Sequence, residues 1–336
     1  MLREAGIEPV ISRPVPERFY QRLVERGGSQ RDKAVFYSTF LTCRTFDVLR
    51  AERFDAVVIQ RDLFPFGPPL LERMLHRRNP HLVYDTDDAT YLRPVFTPKT
   101  PFQRIRHFGK VIDVVRNARW VSAGTEPIAD WARQFNAHVT VVPMALDLRE
   151  YDQVCAEPAR PGGPLVLGWA GTGGGLIYLE KLAPVLREIS AKHDIVVRVL
   201  SGGYQRVPLP GVPIDPRPWR PQLALREMAG FDIGLVPLDD TPFEQAKFPF
   251  KLLQYLALRI PSVVSRVGTA AALVRHGENG LLAGSNAEWR DALESLLADS
   301  ELRKRLATEG RRTVEQNYTI ERIGPLLIDG LSRATA

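Results

Sequence analysis

Short apolar runs alternate with longer amphipathic stretches along almost the whole of this chain, and that alternation most constrains its fold. Ile7–Ser12 is a short candidate strand and Ala56–Gln60 a buried one, followed by His81–Tyr84, Trp120–Ala123 and His138–Pro143. Leu70–Arg77, Phe102–Arg116 and Ile128–Gln134 read as helices between them. The pattern then repeats. Leu165–Ala170 reads as a strand, Leu176–Lys192 as a helix with Leu179, Leu182, Leu186 and Ile189 on one face, and Val196–Leu200 as a strand. Gln222–Ala229 reads as a helix, Ile233–Pro237 and Ser262–Ser265 as strands, and Glu288–Leu297, Glu301–Asn317 and Ile320–Leu331 as closing helices. Strands separated by helical patterns predict parallel sheets covered on both faces.

At 336 residues the chain exceeds one ordinary core, so two domains are expected. The stretch Ala156-Glu-Pro-Ala-Arg-Pro-Gly-Gly163 is rich in linker residues and poor in core formers. The expectation is an α/β protein with two Rossmann-type doubly wound domains over 1–155 and 164–319, joined by a linker at 156–163. A closing helix near 320–333 is free to pack back on the first domain. Ligands in such sheets bind at the carboxyl ends of the strands, which with two domains means the cleft between them.

Apolar content of 44% and charged content of 25% are those of a globular protein. No run of about 18 apolar residues marks a membrane span, and the start lacks the apolar core of a signal peptide. Two cysteines, Cys43 and Cys155, cannot build a disulfide framework and suit a reducing cytoplasm. A formal charge of +6 favours anionic partners such as nucleotides or anionic lipid. Nucleic acid is disfavoured, because neither zinc-ligand spacing nor an aromatic RNA-binding signature is present.

The chemistry concentrates in Lys247-Phe-Pro-Phe-Lys-Leu-Leu-Gln-Tyr-Leu-Ala-Leu-Arg-Ile-Pro-Ser-Val-Val-Ser265. It reads as a loop, a helix opened by Pro249, a turn and a buried strand. A first helical turn binds phosphate through its free N–H groups, and Lys247 and Lys251 add two charges beside it. Only 8 lysines stand against 37 arginines here, so two of them four positions apart are unlike a random surface. Gln254, one turn after Lys251 and two after Lys247, can share a helix edge with both and bond ribose hydroxyls; a solvated glutamine is the plain alternative. Gly171-Thr172-Gly173-Gly174-Gly175 follows a strand and precedes a helix, where glycines let backbone approach an anion. The spacing is not the dinucleotide fingerprint, and a flexible turn is the alternative.

In the first half, Tyr84-Asp-Thr-Asp-Asp-Ala89 ends a strand, where its carboxylates can bond sugar hydroxyls or cap a helix. A metal would need more ligands than these, so none is expected. Gln60-Arg61-Asp62 is a second strand-end group. Thr125 and Glu126 follow a third strand, where Thr125 can equally cap the next helix. Arg104, Arg106, His107 and Lys110, interleaved with Phe102, Ile105 and Phe108, form a basic amphipathic patch suited to a membrane surface or to plain solvation. No Ser/His/Asp or Cys/His nucleophile arrangement is present.

Taken together these residues resemble glycosyltransferase family 4, retaining enzymes with the GT-B fold. The resemblance runs through Leu167-Gly-Trp-Ala-Gly171, Asp232-Ile-Gly-Leu-Val-Pro-Leu238, Lys247–Ser265, Asn279-Gly-Leu-Leu282 and Arg311-Arg-Thr-Val-Glu-Gln-Asn-Tyr318. It is close to a subgroup with Lys-x-x-x-Lys-Leu-Leu-Gln-Tyr, which Gln60-Arg-Asp62, Tyr84–Ala89 and Ser122-Ala-Gly-Thr125 also resemble. Val142-Pro-Met-Ala-Leu-Asp147 resembles the family's hinge-proximal motif. The resemblance implies a nucleotide-diphosphate-sugar donor, no cofactor and no metal. Gly171–Gly175 would face the diphosphate, Lys247 and Lys251 would neutralise it, and Gln254 would hold the ribose. Asp87 and Asp88, with Arg61 and Thr125, would lie on the sugar or acceptor side. The acceptor, whether glycan, lipid-linked intermediate or small molecule, carries no motif.

Three departures qualify this. The broader family's two glutamates, eight positions apart, are Ala246 and Gln254 here, leaving Glu244 as a substitute sugar contact. Arg259 replaces a glycine usual before Ile-Pro, a cost of about 1 kcal/mol or more if the turn is left-handed. The chain begins at what reads as the end of the family's first helix, so the first domain is expected to lack the family's first strand and glycine loop. A start other than Met1, a rebuilt domain or a loss of catalysis would each account for that. A catalytically silent nucleotide-sugar binder or partner subunit, and a sugar-nucleotide epimerase, are therefore the alternatives to a transferase.

Overall fold

The computed structural model describes residues 1–16, 29–92, 108–155, 163–202, 207 and 209–336. They divide into two compact units, one of Met1–Met144 with Ile323–Ala336 and one of Ala145–Arg322. The division thus falls ahead of the expected linker, and 156–162 lie outside the described residues.

In the first unit, α1 (Gln30–Arg50) is followed by β1 (Val57–Gln60), α2 (Leu70–Arg78), β2 (Leu82–Thr86), α3 (Lys110–Asn117), β3 (Trp120–Ala123), α4 (Glu126–Arg133) and β4 (Val139–Val141). The four strands pair in parallel in the order β1-β2-β3-β4. The expected strand at Ile7–Ser12 is not one: these residues are irregular, and Val10 and Ile11 are exposed with no sheet partner. Helix α1 was not legible by periodicity, because its apolar residues are scattered and only Val48 is buried. Its start was marked, since Ser29 and Asp32 form a reciprocal capping box. One core cluster gathers Val48, Leu75, Leu82, Tyr84, Val115 and Val121, and a second packs Val83 and Trp120 against Ala334 of the last helix.

The second unit runs α5 (Leu148–Cys155), β5 (Leu165–Thr172), α6 (Leu176–Lys181), α7 (Ala183–Lys192), β6 (Ile195–Gly202), β7 (Ile214–Pro218), α8 (Ala224–Ala229), β8 (Ile233–Val236), α9 (Pro242–Ala246), α10 (Phe250–Ala257), β9 (Ser262–Ser265), α11 (Gly268–Leu273), β10 (Leu281–Ala283), α12 (Asn286–Ala298) and α13 (Ser300–Asn317). A last helix, α14 (Ile320–Thr335), begins in this unit and continues in the first. Six parallel strands take the order β10-β9-β8-β5-β6-β7. One helix expected over Leu176–Lys192 is two, α6 and α7, broken at Leu182. Pro184 is the reason: it supplies no N–H, and its ring clashes with a carbonyl four residues back, so it fits only a first turn. Strand β7 carries Pro216 and Pro218, which suppressed it as a sequence signal; it lies at the sheet edge, where proline is tolerated.

Candidate functional site

The carboxyl end of β5 sets the site. Alternation along a strand puts residues 167, 169 and 171 on one face, and Leu167 and Trp169 there are fully buried. A Cβ on Gly171 would stand 2.7 Å from the Trp169 ring and 3.2 Å from Lys251 Nζ. Glycine is therefore required at 171 because an indole and an amine occupy its side-chain space. Gly173–Gly175 then form a single 3-10 turn. A Cβ on Gly175 would lie 3.2 Å from the same indole, whereas at Gly173 its closest neighbour is the Gly202 carbonyl oxygen at 3.8 Å. The glycine turn rests on Trp169.

The two lysines reach this end of β5 from different elements. Lys251 is the second residue of α10, but Lys247 lies before that helix, as the C-cap of α9. Pro249 is the N-cap of α10 rather than a first-turn residue. The expected shared helix edge is thus corrected: Lys251 and Gln254 share a helix, and Lys247 is held by its extended backbone, whose carbonyl accepts a hydrogen bond from Thr269 Oγ1. Lys251 Nζ lies 4.6 Å from the Trp169 ring centroid, and Lys247 Nζ lies 5.9 Å from that of Phe243. Burial pulls the Lys251 ammonium down to about 7, Lys247 pulls in the same direction and Glu244 opposes them.

Glu244 is 1% exposed. Its Oε1 accepts a hydrogen bond of 2.6 Å from Tyr178 Oη on α6, and burial together with that bond raises the Tyr178 hydroxyl well above its ordinary value. The guess that Glu244 lies open to a sugar is corrected, because this carboxylate is packed inside the unit. Gln254 Nε2 donates to Tyr151 Oη at 3.4 Å, a long bond that leaves the carboxamide oxygen for other use. Behind them Tyr255 Oη accepts from the Ala170 N–H at 2.7 Å, pinning α10 to β5.

A polar cavity of about 350 Å³ opens at the carboxyl ends of β8, β9 and β10, lined by Tyr178, Lys181, Asp239, Ser265, Arg266 and Trp289 among others. Its polar groups are largely engaged with one another. Lys181 pairs with Asp239 at 2.5 Å, and Ser265 Oγ accepts from the Leu238 N–H at 2.9 Å. The lysine and glycine cluster, whose Lys251 amine has no ion pair among the described residues, is the better anion site.

In the first unit the strand-end residues do assemble. Arg61 follows β1 with φ 61°, a left-handed backbone uncommon for a side-chain-bearing residue. Its guanidinium meets Asp87 at 3.0 Å and Asp88 at 2.8 Å. Burial opposes the Arg61 charge, but Asp88 and Asp87 together outweigh it. Gly124 lies under this loop, where a Cβ would fall 2.9 Å from Asp87 Cα. Asp85 accepts from Ser122 Oγ at 2.7 Å, and burial raises its carboxyl above the ordinary range. Thr125 accepts from the Ile128 N–H and caps α4, so its structural role is the one observed.

Lys110 does not belong to a basic surface. It is 2% exposed and bonded to Glu72 at 2.9 Å and to the Phe64 carbonyl. Arg104, Arg106 and His107 lie outside the described residues. Among the described residues no cluster of His, Cys, Asp or Glu suits a metal, and no helix is long and apolar enough to cross a membrane. Arg259 takes φ 58°, so the turn that usually carries glycine is indeed left-handed.

Sequence reasoning missed Trp169, Tyr178 and Tyr151. Only Trp169 left a signal: a large ring two positions from a glycine on the same strand face marks a side chain filling its neighbour's space.

Residues 214–299 match the family model described as glycosyl transferases group 1. No curated protein matches the chain. Anabaena HepE, solved in complex with UDP and glucose, superposes with a TM-score of 0.65 at 14% identity, over 96% of this chain and 98% of that one. Sucrose-phosphate synthase from Thermosynechococcus elongatus gives 0.64 at 16% identity, over 91% and 79%. A glycosyltransferase from Rickettsia africae gives 0.61 at 9% identity, over 87% and 80%. The resemblance to the group 1 glycosyl transferases and the GT-B fold with two Rossmann-like sheets are borne out.

Proposed function

We propose that this chain, a group 1 glycosyl transferase relative of GT-B fold, moves a sugar from a nucleotide-diphosphate donor to an acceptor, without a metal and with retention of anomeric configuration. The observation that carries the reading is the Lys251 amine packed against the Gly171 backbone at the carboxyl end of β5, with Lys247 close enough to repel it. Neighbouring lysines disfavour one another's charge, and an anion arriving between them restores it. Neighbours solved with UDP and with UDP-glucose support a diphosphate as that anion.

In this reading the Gly173–Gly175 turn presents backbone N–H groups to the diphosphate, and Gln254 bonds the ribose. As the sugar–phosphate bond breaks, negative charge builds on the leaving oxygen. Lys251 and Lys247 stabilise that charge more in the transition state than in the ground state, the electrostatic form of catalysis. No enzyme nucleophile is needed, and the acceptor attacks from the face the nucleotide leaves. In the first unit, Asp87 and Asp88, fixed by Arg61, are assigned to acceptor or sugar hydroxyls. The free cysteines Cys43 and Cys155 fit a reducing, cytoplasmic site of action.

Nucleotide release from UDP-, GDP- and ADP-glucose, with and without sugar acceptors, tests the reading. Release that falls at least tenfold in Lys251→Ala and Lys247→Ala is the expected result. Donor binding without release identifies the silent relative, and interconversion of two nucleotide sugars without acceptor identifies the epimerase. Failure of every donor to bind removes the donor assignment itself.

A further inference from the structure

The Gln254 carboxamide has two opposite ends: its oxygen only accepts hydrogen bonds and its nitrogen only donates them. A half-buried glutamine without a fixed partner can present either end to a ligand by turning its amide over. In this fold another helix chooses the end. Gln254 Nε2, on α10, donates to Tyr151 Oη of α5 at 3.4 Å, and Oε1 has no hydrogen-bond partner among the described residues. Tyr151 is itself held in place. It is 4% exposed, and burial raises its hydroxyl above the ordinary value, so the phenol stays neutral. The next residue, Asp152, pairs with Arg311 of α13 at 2.7 Å. Arg311 is also buried and donates to the Ala257 carbonyl at 2.9 Å. One guanidinium thus ties α5 to the last residue of the helix that carries Gln254. The entry to α5 is fixed as well, because Leu146 exchanges backbone hydrogen bonds with Tyr318 and Ile320.

We propose that Tyr151 is a positioning residue that turns the Gln254 carboxamide oxygen toward the donor ribose, and so sets a preference for ribonucleotides over deoxyribonucleotides. This rests on the reading of Gln254 as the ribose contact given above. With Nε2 engaged by Tyr151, Oε1 is the free end, and a ribose hydroxyl donates to it. A deoxyribose lacks that donor and leaves the oxygen unpaired, which is how a site built around a hydroxyl rejects an analogue without one. At 3.4 Å the bond is longer than the common value of about 2.9 Å. It therefore biases the amide rather than locking it, and its removal should cost about two- to tenfold in affinity, the scale of one neutral hydrogen bond. Tyr151 touches no ligand in this scheme; it acts through Gln254 alone.

Calorimetric titration of the intact protein with UDP, GDP and ADP, and with their 2′-deoxy and 3′-deoxy forms, tests this. The wild type is expected to bind its best ribonucleotide about tenfold more tightly than at least one deoxy form. Tyr151→Phe keeps the buried ring and removes only the hydroxyl. It should weaken the ribonucleotide about two- to tenfold and leave that deoxy form unchanged, so the preference shrinks. Gln254→Ala should erase the preference, and adding Tyr151→Phe to it should change nothing further, because the hydroxyl acts through the amide. A tyrosine that only supports the fold would weaken both forms alike; equal losses overturn the proposal and leave the donor reading standing. A preference that survives Gln254→Ala overturns it too, by moving the ribose contact elsewhere. Absence of binding by UDP, GDP and ADP alike in the wild type removes the donor reading, and the proposal with it.

Discussion

Tyr178 Oη donates a 2.6 Å hydrogen bond to Glu244 Oε1 inside the second unit, while Oε2 of the same carboxylate is buried without a hydrogen-bond partner. The pair ties α6 to α9 next to the Lys251 amine. Replacing Tyr178 with Phe keeps the ring and strands the carboxylate. A loss of about 1–3 kcal/mol is expected from leaving a buried acceptor unsatisfied, read as a lower urea midpoint. A variant as stable as the wild type would show that water or a shifted side chain replaces the bond.

Gly171 and Gly173 separate packing from flexibility in the glycine turn. Gly171→Ala drives a Cβ to 2.7 Å from the Trp169 ring, whereas Gly173→Ala meets only the Gly202 carbonyl oxygen at 3.8 Å. Overpacking predicts a cost of about 1–3 kcal/mol at 171 and little at 173. Thermal unfolding of the two variants side by side checks this; equal losses would contradict it.

Asp85 gives the first unit a pH dependence. Burial raises its folded carboxyl above the unfolded value, so the folded state holds the proton more tightly. Its contribution to stability is therefore greatest below the unfolded pKa and is lost as pH rises through the raised one. Asp85→Asn, which can still accept from Ser122, is expected to raise the urea midpoint at pH 7. The gain should fade in acid. A stabilisation that grows as pH falls would reverse the sign of this argument.

Lys110 and Glu72 form a buried ion pair at 2% and 4% exposure. Lys110→Met leaves an uncompensated carboxylate and should cost about 3–5 kcal/mol. Adding Glu72→Leu should recover a large part of that loss, because the cost lies in the orphaned charge. A double-mutant cycle in guanidinium measures it, and strict additivity of the two losses would exclude a direct coupling.

The sequence by itself determined the fold class. Short continuous apolar runs such as Ile233–Val236 and helical stripes such as Leu179, Leu186 and Ile189 are local signals, and they persisted in the folded chain. Local signals also located the glycine turn and the lysine pair, and the left-handed turn at Arg259 was legible from the glycine it replaces. The tertiary structure decided which of those groups meet and in what state. Distant segments alone bring Lys251 onto Trp169, send Glu244 inward to Tyr178, and give Lys110 the Glu72 carboxylate. Desolvation and partner choice depend on atoms tens of residues apart, so sequence spacing could place Lys110 on a solvated face and Lys247 on a helix it does not join. Spacing along the chain fixes periodicity; the charge a buried amine carries is fixed by what the fold packs against it.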